Sequence, residues 1–214
     1  MKDSITPYAH LRADGRKGIR NVLLVISTVE CAHHVALKIC RAFDDSDEVH
    51  FLNWSGCAPN QYAVAMLEAL TTHPNVGGVL LVGLGCEGLK APALAETVVA
   101  SGRWCERLLI QESGGTQSSI LKGIDAVNAG LKAIAQSERV PMRWDELVVG
   151  TICGGSDAFS GISANPAIGR AFDRLIEGGA TCIFEETGEL VGCDDIIIPR
   201  AANDAVATAL AESL

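Results

Sequence analysis

Short apolar runs alternate with longer amphipathic stretches along nearly the whole chain. Residues 22–28, 49–54, 78–84, 107–111, 147–152 and 180–185 read as buried strands, and 195–198 as a candidate seventh. Between them, residues 33–43, 61–72, 91–100, 118–136, 165–177 and 203–212 carry helical spacing. The longest of these places Ile120, Ile124, Val127, Leu131 and Ile134 at three- and four-residue intervals, one apolar stripe of a helix. Pro166 suits the first turn of its helix, where no backbone N–H is needed. Strands alternating with helices predict an α/β fold, a Rossmann-like, mostly parallel sheet with helices on both faces. The expected organisation is an N-terminal arm over residues 1–21 followed by one α/β domain over residues 22–214.

Composition supports a packed core: 48% of the 214 residues are hydrophobic, only 5% are aromatic, and there are 22 glycines. The formal charge of −9 argues against nucleic acid, which requires a basic face. Residues 1–20 run against that trend. Lys2, Arg12, Arg16, Lys17 and Arg20 face only Asp3 and Asp14, a local excess of +3. Such a segment is either a solvated basic arm or an anion clamp, since the guanidinium fork matches a carboxylate. The first 20 residues hold no apolar stretch of signal-peptide length, and no run is long enough to span a bilayer. The expectation is a cytoplasmic protein with no membrane partner, in which eight cysteines are thiols or metal ligands rather than disulfides.

Four of those cysteines follow predicted strands: Cys31, Cys57, Cys86 and Cys153. Ligands of open α/β sheets bind beyond the carboxyl ends of the strands, so the four define a candidate metal or cluster site. The competing reading is burial, common for free cysteine. If the thiols converge, they favour iron–sulfur or zinc over magnesium. Cys40, Cys105 and Cys182 fall on helices or strands and read as small core residues. Glycine-rich loops at residues 83–88, 111–116 and 153–157 can present backbone N–H groups, Gly114 and Gly115 among them. None is a Walker loop or a dinucleotide fingerprint. Glu185, Glu186 and Glu189 end the sixth strand as candidate base or ligand, with solvation as the alternative, and His33 and His34 open the first helix.

The order of these pieces resembles the altronate/galactarate dehydratase family, which includes the large subunit of sulfolactate sulfo-lyase. The resemblance starts in the arm, with Tyr8 and the run from Asp14-Gly15-Arg16 through Gly18 to Arg20-Asn21. It continues through Thr28–Ala32 (residues 28–32), His73-Pro74-Asn75, Gly83-Leu84-Gly85-Cys86-Glu87 and residues 111–116. It is strongest at Cys153-Gly154-Gly155-Ser156-Asp157 with Ser160-Gly161 and Ala164-Asn165-Pro166, and ends at Glu186-Thr187, Glu189 and Arg200-Ala201. Around Cys57 and Cys193 this chain departs from the family's usual residues.

The resemblance implies dehydration of a sugar acid such as altronate or galactarate to a 2-keto-3-deoxy acid, with a divalent metal, iron or an iron–sulfur cluster, as cofactor. Cys31, Cys57, Cys86 and Cys153 would hold the metal. Arg12, Arg16, Arg20, Gly114, Gly115, Ser156 and Asn165 would hold the carboxylate substrate, and Glu186, Asp157 and His34 are the candidate acid–base groups. The family's large region extends beyond the end of this chain, so a partner domain or subunit and a homo-oligomer are expected. Two other readings stay open: a sulfolactate sulfo-lyase subunit, and a non-catalytic binding or assembly subunit that keeps the fold. A zinc-stabilised structural domain is a further one.

Overall fold

Four of the apolar runs pair side by side, all pointing the same way. They are β3 (Val22–Ser27), β4 (Val49–Asn53), β5 (Val76–Gly83) and β6 (Trp104–Leu109), in the order β4-β3-β5-β6. β5 is buried along its whole length. The computed structural model describes residues 7–155 and 157–214, and contacts divide the chain into unit 1, Met1–Met142, and unit 2, Arg143–Leu214.

In unit 1 the two-residue period of the strands sorts the core into two layers. Leu23 and Val25 of β3 and Leu80 and Val82 of β5 join one cluster with Val35 and Ile39 of α1 (His33–Arg41) and Val127 and Ile134 of α4 (Thr116–Ile134). Their alternate neighbours Val22, Ile26, Val79 and Leu81 join a second cluster with Leu67 of α2 (Gln61–Thr71) and Leu94 and Val98 of α3 (Ala91–Ala100). Helices therefore cover both faces, as the pattern predicts. Each fully buried Leu or Ile side chain contributes about 1.5–3 kcal/mol, so the two layers dominate the stability of the unit. The start of α2 is set by Asn60, whose side chain accepts a hydrogen bond from the Ala63 N–H at 2.8 Å.

The predicted arm is built into this unit. β1 (Tyr8–Leu11) pairs antiparallel with β2 (Lys17–Gly18) and with β7 (Arg139–Pro141), giving a three-stranded sheet that no hydrophobic period announced. Ala9 is fully buried. The fourth predicted strand is displaced towards the N-terminus, because Trp104 and Cys105 pair with Gly78 and Val79 while the edge position leaves Glu106 and Arg107 exposed. Polar residues on an edge strand hid it from a purely apolar reading.

Unit 2 holds β8 (Val148–Thr151) and β9 (Thr181–Phe184), a parallel pair linked through α5 (Ala164–Glu177). The predicted seventh strand is instead a helical turn, α6 (Asp194–Ile197), running into a 3-10 turn at Ile198–Arg200. Two aspartates in the first turn favour the helix, and a triple-isoleucine run alone does not distinguish helix from strand. α7 (Asp204–Ser213) is capped by Asn203, whose side chain accepts from the Val206 N–H at 3.0 Å. Phe159, Ile162, Ile176 and Phe184 are all exposed, so among the described residues this unit has little core of its own.

Gly123 and Gly130 lie seven residues apart on one face of α4, where a Cβ would strike Ile39 at the first and Leu23 and Trp104 at the second. Bare backbone is what lets α4 close onto α1 and the sheet. Replacing Gly130 with leucine is expected to destabilise unit 1 by about 1–3 kcal/mol, read as a lower urea midpoint. An unchanged midpoint would mean that α4 is free to move off the sheet.

Candidate functional site

Parallel pairing delivers the loops after β3, β4 and β5 to one edge of the four-stranded sheet. Cys31, Cys57 and Cys86 all sit in those loops, and all three are exposed rather than sealed in the core. The loops are tied together by hydrogen bonds. The Gly88 N–H donates to the Cys57 carbonyl at 2.8 Å. Beneath them, the fully buried Ser27 hydroxyl donates to Asn53 Oδ1 at 2.5 Å, and Asn53 Nδ2 donates to Glu30 at 3.1 Å.

Glu87 organises the Cys86 loop. Its carboxylate accepts from the Gly85 N–H at 2.7 Å and from the buried Thr28 hydroxyl at 3.0 Å, and Gly83 leaves it room where a Cβ would clash. Burial raises its pKa, but the hydrogen bonds from Gly85, from its own backbone, from Thr28 and from Cys86 outweigh burial and hold it below the ordinary 4.5. Two buried polar atoms near this edge, His33 Nδ1 and Trp54 Nε1, have no hydrogen-bond partner among the described residues. His33 packs edge-on against Phe51, with ring centroids 5.1 Å apart, while the neighbouring His34 is exposed at the first turn of α1.

Gly114 and Gly115 adopt φ of 87° and 90° and open α4, the longest helix. Both are exposed, and no side chain or backbone crowds Gly115. Cys40 and Cys105 match the core reading: burial raises both thiols, Cys105 to about 11, which keeps them protonated and inert.

The exposed thiols of Cys31, Cys57 and Cys86 do not assemble into a three-ligand group. Among the described residues, the grouping that does is Cys153, Glu186 and Glu189, all exposed, each offering one ligand atom within 4.8 Å of the others. Strand register explains it. β8 and β9 pair in parallel with Thr151 opposite Phe184, so two residues further on Cys153 stands beside Glu186. The Cys153 N–H donates to Glu186 Oε2 at 3.3 Å. Glu186 has φ 61°, the left-handed region, a backbone cost of about 1–3 kcal/mol that persists only where surroundings hold it. The following 3-10 turn, Thr187–Leu190, brings Glu189 back to the same side. In unit 2 the groups that come together are thus one thiol and two carboxylates. Sequence spacing alone hid this set, because 33 residues separate Cys153 from Glu186.

Asp157 and Asn165 lie in the same unit. Asp157 Oδ1 accepts from the Phe159 N–H at 2.6 Å, and the Asn165 N–H donates to the Ser160 carbonyl at 2.8 Å in the first turn of α5. Ser156 lies outside the described residues.

The arginines Arg12, Arg16 and Arg20 belong to unit 1. Arg12 is 7% exposed, and its Nε, Nη1 and Nη2 donate to the Pro74 carbonyl at 2.7 Å, Asn21 Oδ1 at 2.9 Å and the Arg20 carbonyl at 3.0 Å. Arg16 pairs with Asp14 at 2.7 Å and donates to the Thr72 carbonyl at 2.6 Å. The Arg20 N–H donates to Asn75 Oδ1 at 3.2 Å. Residues 72–75 lead into β5, so the arm sits at the amino edge of the sheet. Cys86 follows the other end of that eight-residue strand, about 25 Å away at roughly 3.3 Å per residue. Within unit 1, the Arg12 and Arg16 guanidinium groups and the thiols of Cys31, Cys57 and Cys86 therefore lie at opposite edges of the sheet.

Two family models match the chain in succession. "D-galactarate dehydratase/Altronate hydrolase, second domain" covers residues 9–135, and "D-galactarate/Altronate dehydratase, C-terminal" covers residues 144–214. Their junction coincides with the division between the two units. Altronate dehydratase of Bacillus subtilis (strain 168) is 32% identical over 207 residues, covering 91% of this chain and 41% of its own length. Galactarate dehydratase (L-threo-forming) of Escherichia coli (strain K12) is 34% identical over 158 residues, 71% of this chain and 30% of its own. The (2R)-sulfolactate sulfo-lyase subunit beta of Chromohalobacter salexigens is 29% identical over 216 residues, 94% of this chain and 51% of its own. This chain spans about half or less of the length of these relatives.

Glu87 makes a checkable contribution to the edge. Its folded pKa lies below 4.5, so its stabilisation is present above pH 4.5 and is lost as pH falls through the lower folded value. Glu87→Gln is expected to lower stability at pH 7 by about 1–2 kcal/mol and to flatten the acid limb of a stability–pH profile measured by urea denaturation. Parallel profiles for the two proteins would exclude this role.

Proposed function

Because this chain belongs to the D-galactarate/altronate dehydratase family, we propose that it carries part of the site of a metal-dependent hydro-lyase that removes water from a sugar acid such as altronate or galactarate. The observation that carries the reading is the grouping of Cys153, Glu186 and Glu189 at the carboxyl ends of β8 and β9. One thiolate with two carboxylates suits a borderline divalent cation such as iron(II) better than magnesium, and three protein ligands leave positions open. A cation bound there would supply Lewis-acid polarisation of the departing hydroxyl.

The chain's own groups account for the remaining requirements. The proton beside a carboxylate is weakly acidic, so its removal needs a fixed base. Asp157 fits that role, since the Phe159 N–H holds one carboxylate oxygen and leaves the second as proton acceptor. Asn165, exposed in the first turn of α5, offers an amide N–H to the substrate carboxylate, supported by the dipole of that helix. Glu186 keeps the Cys153 loop in place through its backbone contact as well as serving as ligand. The rest of the catalytic region, matching the relatives' greater length, would complete the substrate pocket.

Similarity to the sulfolactate sulfo-lyase subunit supports a second reading. The proton abstraction would be the same, with sulfite rather than water as leaving group.

Anaerobic purification, metal analysis and assays for keto-acid and sulfite release test both, with the remaining catalytic region supplied. Cys153→Ala is expected to cut bound metal at least tenfold. Asp157→Asn is expected to keep the metal and lower kcat by about 10²–10⁴. Full metal content in Cys153→Ala would move the centre elsewhere. Unaltered turnover in Asp157→Asn would remove the proposed base.

A further inference from the structure

Among the described residues, the amino edge of the four-stranded sheet, opposite Cys31, Cys57 and Cys86, gathers more positive charge than its ion pairs neutralise. Arg103, just before β6, is 5% exposed and donates from Nε to the Val76 carbonyl at 3.0 Å, and from its terminal nitrogens to the Ser101 and His73 carbonyls at 3.2 Å each. Arg12, 7% exposed, is bound in the same manner by the carbonyls of Pro74 and Arg20 and by Asn21. Carbonyl oxygens solvate a guanidinium but carry no formal charge. Among the described residues, the carboxylate that ion-pairs in this group is Asp14, and it is shared between Arg103 at 3.6 Å and the exposed Arg16 at 2.7 Å. Two buried cations and one exposed cation thus face a single anion, a costly arrangement when buried charge is left uncompensated.

The electrostatics register the excess. Arg12 is lowered to about 10, by burial first and then by Arg103, with Asp14 opposing. His10 and His73 both lie below the ordinary 6.5, through burial first and then through neighbouring arginines, Arg12 and Arg139 for His10 and Arg16 and Arg103 for His73. Between the arm, the start of β6 and the end of α4 lies a cavity of about 230 Å³, lined among others by Arg12, Arg103, Gly77, Trp104 and Gln136. It is large enough for a small oxyanion with several waters. The C-terminal end of α4 contributes a partial negative charge of about half a unit at most, too little to offset the arginines.

We propose that this cavity is a binding site for a small oxyanion, such as phosphate, sulfate or a dicarboxylate, which supplies the missing counter-charge to Arg12 and Arg103 and locks the arm to the sheet. None of Cys153, Glu186 and Glu189 lines it, and its test does not depend on catalysis.

The whole chain is melted in low-salt buffer with millimolar sulfate, phosphate or tartrate against chloride at matched ionic strength, below concentrations at which sulfate stabilises proteins generally. A saturable rise of about 3–6 °C at ten times Kd is expected, with calorimetric titration giving one site per chain. Whichever oxyanion gives the tighter constant identifies the ligand type. Gln136 is exposed and lines the cavity, so Gln136→Glu tests the charge without disturbing the core. The variant is expected to melt higher than the native chain in chloride and to lose most of the anion-dependent rise. Equal melting temperatures in oxyanion and chloride, or a full rise retained by Gln136→Glu, would overturn the proposal.

Discussion

Parallel strand pairing is the constraint from which the other features descend. When strands run the same way, every chain segment leaving a strand does so at one edge and every returning segment arrives at the other. In unit 1 this places the loops of Cys31, Cys57 and Cys86 together and sends the arm, with Pro74 and Asn75, to the far edge. In unit 2 the same rule, reduced to two strands, sets Cys153 beside Glu186. Reactive side chains are thereby sorted by strand direction: Cys31, Cys57, Cys86, Cys153 and Glu186 follow carboxyl ends of strands, whereas Arg12 and Arg103 lie at the amino edge of unit 1.

The two edges solve different problems. At the carboxyl edge of unit 1, a layer of short side chains, the buried Ser27 and Thr28 and the half-buried Asn53, is tied together by hydrogen bonds. That layer holds Glu30 and Glu87 in place while the thiols above remain accessible. At the amino edge, long guanidinium side chains reach inward and bind carbonyls that precede β5 and β6. Arginine serves there because one planar head satisfies several separated acceptors at once.

Much of the architecture was legible because helical and strand periods differ so plainly. Residues 91–100 read as a helix and are one, and Pro166 and Asn203 marked helix starts that the structure keeps. Fully apolar β5 could not be missed. The errors share a cause, which is that a single stretch carries no record of what lies beside it. β6 hides exposed charges behind Trp104, and the isoleucine run near residue 197 fits either element until its neighbours are known. The site was less legible than the fold. That cysteines follow strands was visible, but pairing Cys153 with Glu186 requires the register of β8 on β9, which only the fold supplies. The charge of Arg12 is readable in the sequence, whereas its burial is not.

Position 186 illustrates how tightly such a site can be bound to its residue type. Its side chain must reach the Cys153 backbone, and its main chain must accept a left-handed turn that β-branched residues reject. Glycine, asparagine and aspartate tolerate that turn well, yet the first brings no side chain, the second no charge, and the third is one methylene shorter. Substitution at this position is therefore hemmed in from two independent directions, one set by the reach of the side chain and the other by the turn of the main chain.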